Sequence, residues 1–338
     1  YLDSRSEPAA SVSAPEAAQA DASGLEVHFL DIGQGDSALL FCGDETLLID
    51  GGKVKNNQKL IARLKELEVD HLDAVICSHP DEDHCGGLSA VLASTRTDAF
   101  YCSVDSWHTK VFSDVTKYVA EQGISVTIPQ AGDTFAFSDA SVEFLGPVVD
   151  YGDDPNEGSL VARVRYGETS FLFTGDMGFE AEDDMLAAGV DVSATVLKVA
   201  HHGSAGSSST EFLQAVHPQY AVISVGADND YGHPTEAALN RLSACGIPVY
   251  RTDLLGEIIA VSDGKTVTIT SASNEAPPAS DAASQTAGSY GYVGNSSSKV
   301  VHLASCGKLP GESNRVYFAS LDEALAAGYC KHANCLGN

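Results

Sequence analysis

The sequence predicts an α/β protein of four layers, with two β-sheets packed face to face, helices on both outer surfaces and a small α+β module at the C terminus. From Leu25 to about Ser271, short apolar runs alternate with segments of helical periodicity. Three consecutive runs in the middle have no helix between them, which is typical of antiparallel strands. A Pro/Ala/Ser-rich segment then precedes a C terminus rich in Cys and His. This mixture fits two sheets covered by helices.

The first half of the chain contains predicted strands with turn residues between them. In order, they are "LEVHFLDIG", "SALLFCG", "TLLID", "LDAVICS", "TDAFYCS" and "ISVTIP". The predicted helices are "NNQKLIARLKELEV", "CGGLSAVLAS" and "KVFSDVTKYVAEQG". In the first of them, Leu60, Ile61, Leu64 and Leu67 recur at helical spacing, and an Asn precedes the run as a candidate cap.

The second half begins with the antiparallel stretch "SVEFLGP", "SLVARVRYG" and "TSFLFTGD". Later predicted strands are "ATVLKVAHHGS", "YAVISVG", "IPVYRT", "GEIIAVSD" and "KTVTITS". The predicted helices are "FEAEDDMLAAG", "STEFLQAVHP" and "PTEAALNRLSACG". No internal repeat of solenoid period is present, so one large domain is expected from this region.

The composition divides the chain into four predicted segments. Residues 1–23 are rich in Ala, Ser, Pro and Glu and are predicted to be a disordered tether. Residues 24–271 form the main domain, 272–289 a second linker, and 290–338 a small module. The chain starts with Tyr rather than Met, which suggests a removed secretory or lipoprotein signal, although an arbitrary boundary is the alternative. We therefore expect a secreted or surface-tethered bacterial protein.

Charge and hydropathy exclude some classes of function. The chain has 47 acidic and 19 basic residues, a formal net charge of −28. Such a charge repels polyanions at long range and argues against a nucleic-acid binder that works by charge alone. It does not exclude a nuclease whose metal ions supply local positive charge. No apolar run is long enough to span a membrane.

Five groups of His and Asp residues each follow a predicted strand. They are "LDIGQGD" (Asp31, Asp36), "SHPDEDH" (His79, Asp81, Asp83, His84), "FTGD" (Asp176), "VAHHGS" (His201, His202) and "NDYGHP" (His233). Strand ends present side chains to a common cleft, and imidazole with carboxylate suits Zn²⁺, Mn²⁺ or Fe. Two divalent ions about 4 Å apart can share and activate one hydroxide. The pattern therefore predicts a metal-dependent hydrolytic centre, with Asp176 suited to bridge two ions.

These motifs resemble the metallo-β-lactamase superfamily, whose signature H-x-H-x-D-H is followed by a later Asp and His on an αβ/βα sandwich. More narrowly, "HFLDIGQGDSALL", "LLIDGG", "SHPDEDHCGG", "VLKVAHHGS" and "ISVGADNDYGHP" look like the hydrolase domain of ComEC-type DNA-uptake proteins. The resemblance covers roughly residues 25–270. In that subfamily the second His of the signature is commonly Asp, and Asp81 matches. The superfamily's usual His between the first motif and the bridging Asp is absent, and Asn156 and Ser159 lie in that region instead.

The resemblance implies roles for the residues of these motifs. One ion would be held by His79, Asp81 and Asp176, and a second by Asp83, His84, Asp176 and His201. The sequence does not decide between His201 and His202, and His201 is favoured because it directly follows the predicted strand. His202 and His233 would contact the scissile phosphate or leaving group. Asp83 has the alternative role of orienting the attacking water, and Asp31 is expected to hydrogen-bond the signature loop.

The resemblance implies phosphodiester hydrolysis with DNA as substrate, whereas the residues alone support only metal-activated hydrolysis. Two divalent ions, Zn²⁺ or Mn²⁺, would provide a metal-bound hydroxide. Hydrolysis of another ester class, such as phosphocholine esters or lactones, is one alternative. A non-catalytic DNA-binding protein with a degenerate metal site is the other. Lysines that could form a basic rim are Lys53, Lys55, Lys59 and Lys198, for which an ordinary solvated surface is the alternative.

The C-terminal module contains two pairs of candidate zinc ligands, His302 with Cys306 and His332 with Cys335. Two such pairs predict a four-ligand structural zinc site, which would compensate for a small core. The module resembles the zinc-binding domain of the Ada DNA-repair proteins. Cys330 is a rival for His332, and a disulfide is the alternative to zinc.

Overall fold

The computed structural model describes residues 24–227, 229–273, 292–303, 306, 308–311, 314–318, 321–326 and 329–332. The predicted tether, residues 1–23, lies outside the described residues, as do Cys335 and the predicted linker except residues 272 and 273. No helix in the described ranges is both long and apolar enough to cross a bilayer.

Strands occur in both the main domain and the C-terminal module. In chain order, those of the described residues are β1 (Leu25–Phe29), β2 (Ala38–Cys42), β3 (Glu45–Ile49), β4 (His71–Leu72), β5 (Ala74–Cys77), β6 (Arg96–Thr97), β7 (Phe100–Cys102), β8 (Val126–Thr127), β9 (Thr134–Phe137), β10 (Ala140–Gly146), β11 (Val161–Tyr166), β12 (Thr169–Phe173), β13 (Val196–Lys198), β14 (Tyr220–Ile223), β15 (Val249–Arg251), β16 (Ile258–Ser262), β17 (Val267–Ser271), β18 (Tyr292–Asn295), β19 (Val300–Leu303), β20 (Arg315–Phe318) and β21 (Cys330–Lys331).

The helices are α1 (Asn57–Glu66), α2 (Glu82–Cys85), α3 (Leu88–Ser94), α4 (Lys110–Glu121), α5 (Phe179–Ala187), α6 (Thr210–Val216), α7 (Glu236–Ala244), α8 (Thr252–Leu255) and α9 (Leu321–Ala326). Among the described residues, Val54–Asn56 and Ala200–Gly203 form short 3-10 helices.

Two large sheets form the centre of the main domain. The first has eight strands in the order β17-β16-β1-β2-β3-β5-β7-β8, and the second has seven in the order β15-β14-β13-β12-β11-β10-β9. In the first sheet, β3, β5, β7 and β8 run parallel. In the second, β12 to β15 run parallel, and β10, β11 and β12 pair antiparallel as predicted.

Alternating residues of each strand build the layers. In β3, Leu47 and Ile49 enter the core between the two sheets, while Leu48 faces the helices outside the first sheet. This alternation follows from the two-residue period of a strand. Helices α1, α3 and α4 cover the first sheet, and α5, α6 and α7 cover the second. The predicted four-layer α/β arrangement is therefore confirmed.

The topology brings the loops that carry the candidate His and Asp residues to one edge of the domain. Parallel strands end on the same edge of a sheet, and the loops after β3, β5, β12, β13 and β14 carry nearly all the candidate site residues. Strand β1 also ends there, because it is antiparallel to β2, which is antiparallel to β3. Ligands of open α/β sheets bind at such carboxyl ends.

The predicted strand "ATVLKVAHHGS" ends earlier than expected. Strand β13 stops at Lys198, and a 3-10 turn follows. His201 and His202 within that turn have φ angles of 50° and 52°. These left-handed conformations are uncommon for residues with a side chain, and they turn the two imidazoles in different directions, with ring planes 81° apart.

The C-terminal module has a sheet of its own, with four strands in the order β20-β18-β19-β21. Its small core contains Val301, Phe318, Ala324 and Tyr329. The module contacts the main domain through a hydrogen bond of 3.1 Å between the hydroxyls of Tyr317 and Thr210.

Candidate metal centre

The two histidines that follow strand β5, His79 and His84, are fully buried. Nδ1 of His84 lies 2.8 Å from Oδ2 of Asp50. Nδ1 of His79 lies 3.0 Å from Oγ of Ser78 and 3.3 Å from Oγ of Ser159. Contacts of this kind at Nδ1 fix the orientation of an imidazole and leave Nε2 available as a ligand.

His202 is oriented in the same way from the second sheet. It is 1% exposed, and its Nδ1 lies 2.9 Å from the carbonyl oxygen of Ser224 and 3.1 Å from Oδ1 of Asp36. The other oxygen of Asp36 pairs with Nζ of Lys198 at 2.7 Å. Lys198 is buried in this ion pair and is therefore not part of a basic surface rim.

Asp176 lies where the Nε2 atoms converge. Its Oδ1 is 3.0 Å from Nε2 of His84 and 3.7 Å from Nε2 of His202. These three atoms and Nε2 of His79 are buried, yet none makes a hydrogen bond within the described residues. An unsatisfied buried polar atom costs about 1–3 kcal/mol. A bound divalent cation would satisfy this set of imidazole and carboxylate donors, so the residues fit the metal that the motifs predict.

The charges around the centre also favour a cation. Burial opposes protonation of His84 and His202, but Asp176 and Asp50 raise the pKa of His84 well above its usual value. Asp176 and Asp36 likewise raise the pKa of His202 to about 9. Burial and the neighbouring His84 lower the pKa of His79 to about 4. The carboxylates thus require positive charge, which protons or a metal can provide.

The two carboxylates of the signature lie beside these histidines. Oδ2 of Asp81 is 3.9 Å from Nε2 of His79, and its side chain is 40% exposed. Oδ2 of Asp83 is 3.7 Å from Nε2 of His202 and 3.9 Å from Nζ of Lys53. Both carboxylates can therefore join the buried cluster at its solvent side.

His201 and His233 lie on the solvent side of His202. The side chain of His201 is 31% exposed, and its Nε2 is 3.6 Å from Oδ2 of Asp176. Its ring centroid is 5.5 Å from that of His233. Burial, together with His201 and His202, lowers the pKa of His233 to about 4. The structure therefore gives the buried position to His202 and the more open one to His201.

Comparison with known proteins assigns the chain to a family. Residues 30–227 match the metallo-beta-lactamase superfamily, and the cluster from His79 to His202 lies within that range. The chain belongs to the metallo-beta-lactamase superfamily.

Two curated bacterial proteins are similar to the chain, and one of them is named as a competence protein. The chain is 31% identical to "ComE operon protein 3" of Bacillus subtilis over 69% of this chain and 32% of that protein. It is 36% identical to "Competence protein ComA" of Neisseria gonorrhoeae over 68% of this chain and 31% of that protein. The chain thus spans about a third of the length of these relatives.

Among solved structures, the metallo-beta-lactamase fold protein YhfI from Bacillus subtilis is similar to the chain. The TM-score is 0.48, and the identity is 13% over 73% of this chain and all of that one.

Asp31 does not have the contacts expected from the sequence. Its carboxylate accepts the N–H of Gly33 at 3.3 Å and pairs with Nζ of Lys59 at 2.9 Å. The signature loop is bonded instead by the backbone N–H of Asp36, which donates to the carbonyl oxygen of Asp83 at 3.0 Å. The expected role of Asp31 is therefore corrected: it is a turn residue paired with a surface lysine.

Asp50 was not among the candidate residues, although it lies behind His84. The sequence did contain a sign of this role: Asp50 directly follows strand β3 in "LLIDGG", just as the other candidate acidic residues follow predicted strands.

Ser159 occupies the region where the metallo-beta-lactamase family usually has a histidine. Its Oγ accepts the N–H of Asp176 at 3.1 Å and lies near Nδ1 of His79, so it supports two residues of the centre.

The C-terminal module brings three of its four predicted zinc ligands together. Ligand atoms of His302, Cys306 and His332 lie within 4.8 Å of one another. Sγ of Cys306 is 3.7 Å from Nδ1 of His332. The rival ligand Cys330 is exposed on β21 and is not in this group. Cys335 lies outside the described residues, and the likeness to the Ada domain stays a prediction.

We expect Asp50→Asn to weaken metal binding about 10- to 100-fold, since carboxylates that hold Nδ1 of a ligand histidine have effects of this size. The affinity is measured by titrating metal-free protein against a chelator of known affinity. Asp31→Asn is the matched control, because its carboxylate pairs with Lys59 at the surface. Equal metal affinities of wild type and Asp50→Asn would contradict the view that Asp50 orients His84 as a metal ligand.

Proposed function

We propose that this chain is a metal-dependent phosphodiesterase that cleaves DNA. The observation that carries the proposal is the approach of the buried Nε2 atoms of His84 and His202 to Oδ1 of Asp176. None of these atoms, nor the buried Nε2 of His79, has a hydrogen-bond partner in the described part of the chain. Relatives named as competence proteins support DNA as the substrate. The negative charge of the chain is compatible with this substrate if divalent ions supply the local positive charge.

The proposed ligands differ from the sequence-based set at one residue. We assign one metal position to His79, Asp81 and Asp176, and the second to Asp83, His84, Asp176 and His202. His202 replaces His201 because its Nε2 is buried near two of the other ligands, Asp83 and Asp176. The first position has two carboxylates and one imidazole, which favours Mn²⁺ over Zn²⁺ relative to a histidine-rich site.

Divalent ions bound there would activate water and neutralise charge on the phosphoryl group. The protein's own residues would orient the substrate. His201 and His233 lie on the open side of the cluster, where their N–H groups can donate to phosphate oxygens. The imidazole of His202 is fixed by Ser224 and Asp36 and so keeps its Nε2 in place.

We also propose a structural zinc ion in the C-terminal module, held by His302, Cys306, His332 and Cys335. The buried Nδ1 of His302 has no hydrogen-bond partner within the described residues, which supports a ligand role. The zinc would stabilise a module whose core is small. For the whole chain we propose a secreted or cell-surface location.

One assay tests the proposed activity. The protein is stripped of metal, reloaded with Mn²⁺ or Zn²⁺, and given single-stranded DNA, double-stranded DNA and bis(p-nitrophenyl) phosphate. We expect metal-dependent turnover of the diester and of DNA. Turnover of p-nitrophenylphosphorylcholine or a lactone alone would instead support another ester hydrolase. DNA binding without turnover of any substrate would support a non-catalytic protein.

A further inference from the structure

An exposed tyrosine lies next to the candidate centre. Tyr231, in the loop between β14 and α7, is 59% exposed. Its ring stacks on that of His233, with centroids 5.7 Å apart and planes at 23°. His233 in turn lies beside His201, so a row of rings leads from the surface to the centre.

The loop holds this tyrosine in a defined position. Oδ1 of Asn229 accepts the backbone N–H groups of Tyr231 and His233, at 3.2 and 3.0 Å. Nδ2 of Asn229 donates to the carbonyl oxygens of Gly226 and His233. One side chain thus closes the loop on itself through four hydrogen bonds. The hydrogen bonds of Asn229 thus hold the backbone on both sides of the exposed Tyr231 side chain.

A lysine links this ring to the signature loop. Nζ of Lys53 donates to Oη of Tyr231 at 3.2 Å and lies 5.0 Å from the ring centroid. The same Nζ is 3.9 Å from Oδ2 of Asp83. Lys53 therefore places a positive charge between the ring and the candidate metal ligands, where the phosphate of a bound strand would lie.

Two physical arguments indicate what such a ring binds. A chain of net charge −28 gains little from long-range attraction to a polyanion. Stacking of a base on an aromatic side chain needs no net charge and is tolerant of sequence. Base faces are available in a single strand but are covered in a duplex. An exposed ring beside a phosphodiesterase centre thus favours single-stranded nucleic acid.

We propose that Tyr231 stacks a nucleobase of single-stranded nucleic acid next to the scissile phosphate, with Lys53 holding the ring and facing the phosphate. The proposal rests on the proposed function, because it names the substrate class of the same site. It assigns to Tyr231 the role of selecting strands with accessible bases.

The test compares strands that differ only in their bases. Metal-loaded protein is mixed with labelled phosphorothioate oligonucleotides, which resist cleavage, carrying thymine, uracil or an abasic spacer at every position. Fluorescence anisotropy measures the dissociation constants. We expect wild type to bind the base-bearing strands about 10-fold more tightly than the abasic strand, as stacking on one aromatic side chain allows. A further uracil strand built on ribose instead of deoxyribose separates a preference for DNA from one for RNA, because the 2′-hydroxyl distinguishes the two.

The variants assign any base preference to the ring. Tyr231→Ala should reduce the ratio between abasic and base-bearing dissociation constants to about 1, and Tyr231→Phe, which keeps the ring, should preserve it. Val261→Ala is the control, because Val261 is also exposed but pairs with Glu26 at the far end of β1. An unchanged ratio in Tyr231→Ala, or no binding of either strand by wild type, would overturn the proposal.

The outcomes separate this proposal from the proposed activity. A base preference that depends on Tyr231, without hydrolysis of ordinary strands, would support the stacking role and reject the phosphodiesterase. Metal-dependent hydrolysis with the same kcat/KM ratio between base-bearing and abasic strands in wild type and Tyr231→Ala would retain the phosphodiesterase and reject the stacking role.

Discussion

Asp176→Asn is expected to lower kcat/KM for DNA by about 1,000-fold, because it removes a charge on which both metal positions depend. Oδ1 of Asp176 is within 3.7 Å of two buried Nε2 atoms, and Oδ2 is 3.6 Å from a third imidazole. Asparagine has the same shape, so the loss would be one of charge and ligand strength rather than of packing. Steady-state hydrolysis of DNA and of bis(p-nitrophenyl) phosphate measures the effect.

Metal content gives a second measure of the same substitution. Mass spectrometry of purified Asp176→Asn should show loss of the hydrolytic ions with retention of zinc in the C-terminal module. Asp114→Asn is the matched control, because its carboxylate pairs with Lys110 on the surface of α4. Wild-type activity and metal content in Asp176→Asn would reject the proposed ligand set even if the chain is a phosphodiesterase.

Much of the fold could be predicted because its signals are local. Short apolar runs such as residues 47–49 of β3 indicate buried strands directly, and the His-rich loops follow such runs. The short helix α2 within the signature was not predicted, nor was β9. Helix α2 consists of only Glu82–Cys85, too few residues for helical periodicity to be visible.

The contacts behind the ligand histidines could not be predicted from the sequence. Whether Asp50 reaches His84 depends on β3 and β5 being neighbours in parallel register, which is set by the whole sheet. The different positions of Asp31 and Asp36 could not be predicted either. Both follow one strand, but Gly33 and Gly35 have φ angles of 81° and 136°, so the chain turns sharply between them. The turn leaves Asp31 at the surface and buries Asp36 against His202.

The backbone also explains why the sequence could not decide between the adjacent histidines of "HHGS". In a continuing strand the two side chains would point to opposite faces, and the nearer one would be the natural choice. Both residues have left-handed conformations, so the alternation of side chains along a strand does not apply to them. His202 is 1% exposed, and its Nδ1 contacts Ser224 and Asp36. The side chain of His201, in contrast, is 31% exposed.

His202→Asn should therefore remove one bound ion per chain and lower kcat/KM about 100- to 1,000-fold, since it takes away a ligand and leaves Asp36 without its imidazole partner. His201→Asn should keep the full metal content and lower kcat about 100-fold, as expected for the loss of one hydrogen-bond donor to the reacting phosphate. Metal-to-protein ratios and kinetics of the two variants, prepared in parallel, give the comparison. The opposite pattern, with the ion lost from His201→Asn and retained in His202→Asn, would return the ligand role to His201. The pair is informative because the residues are adjacent and identical, so only their orientation differs.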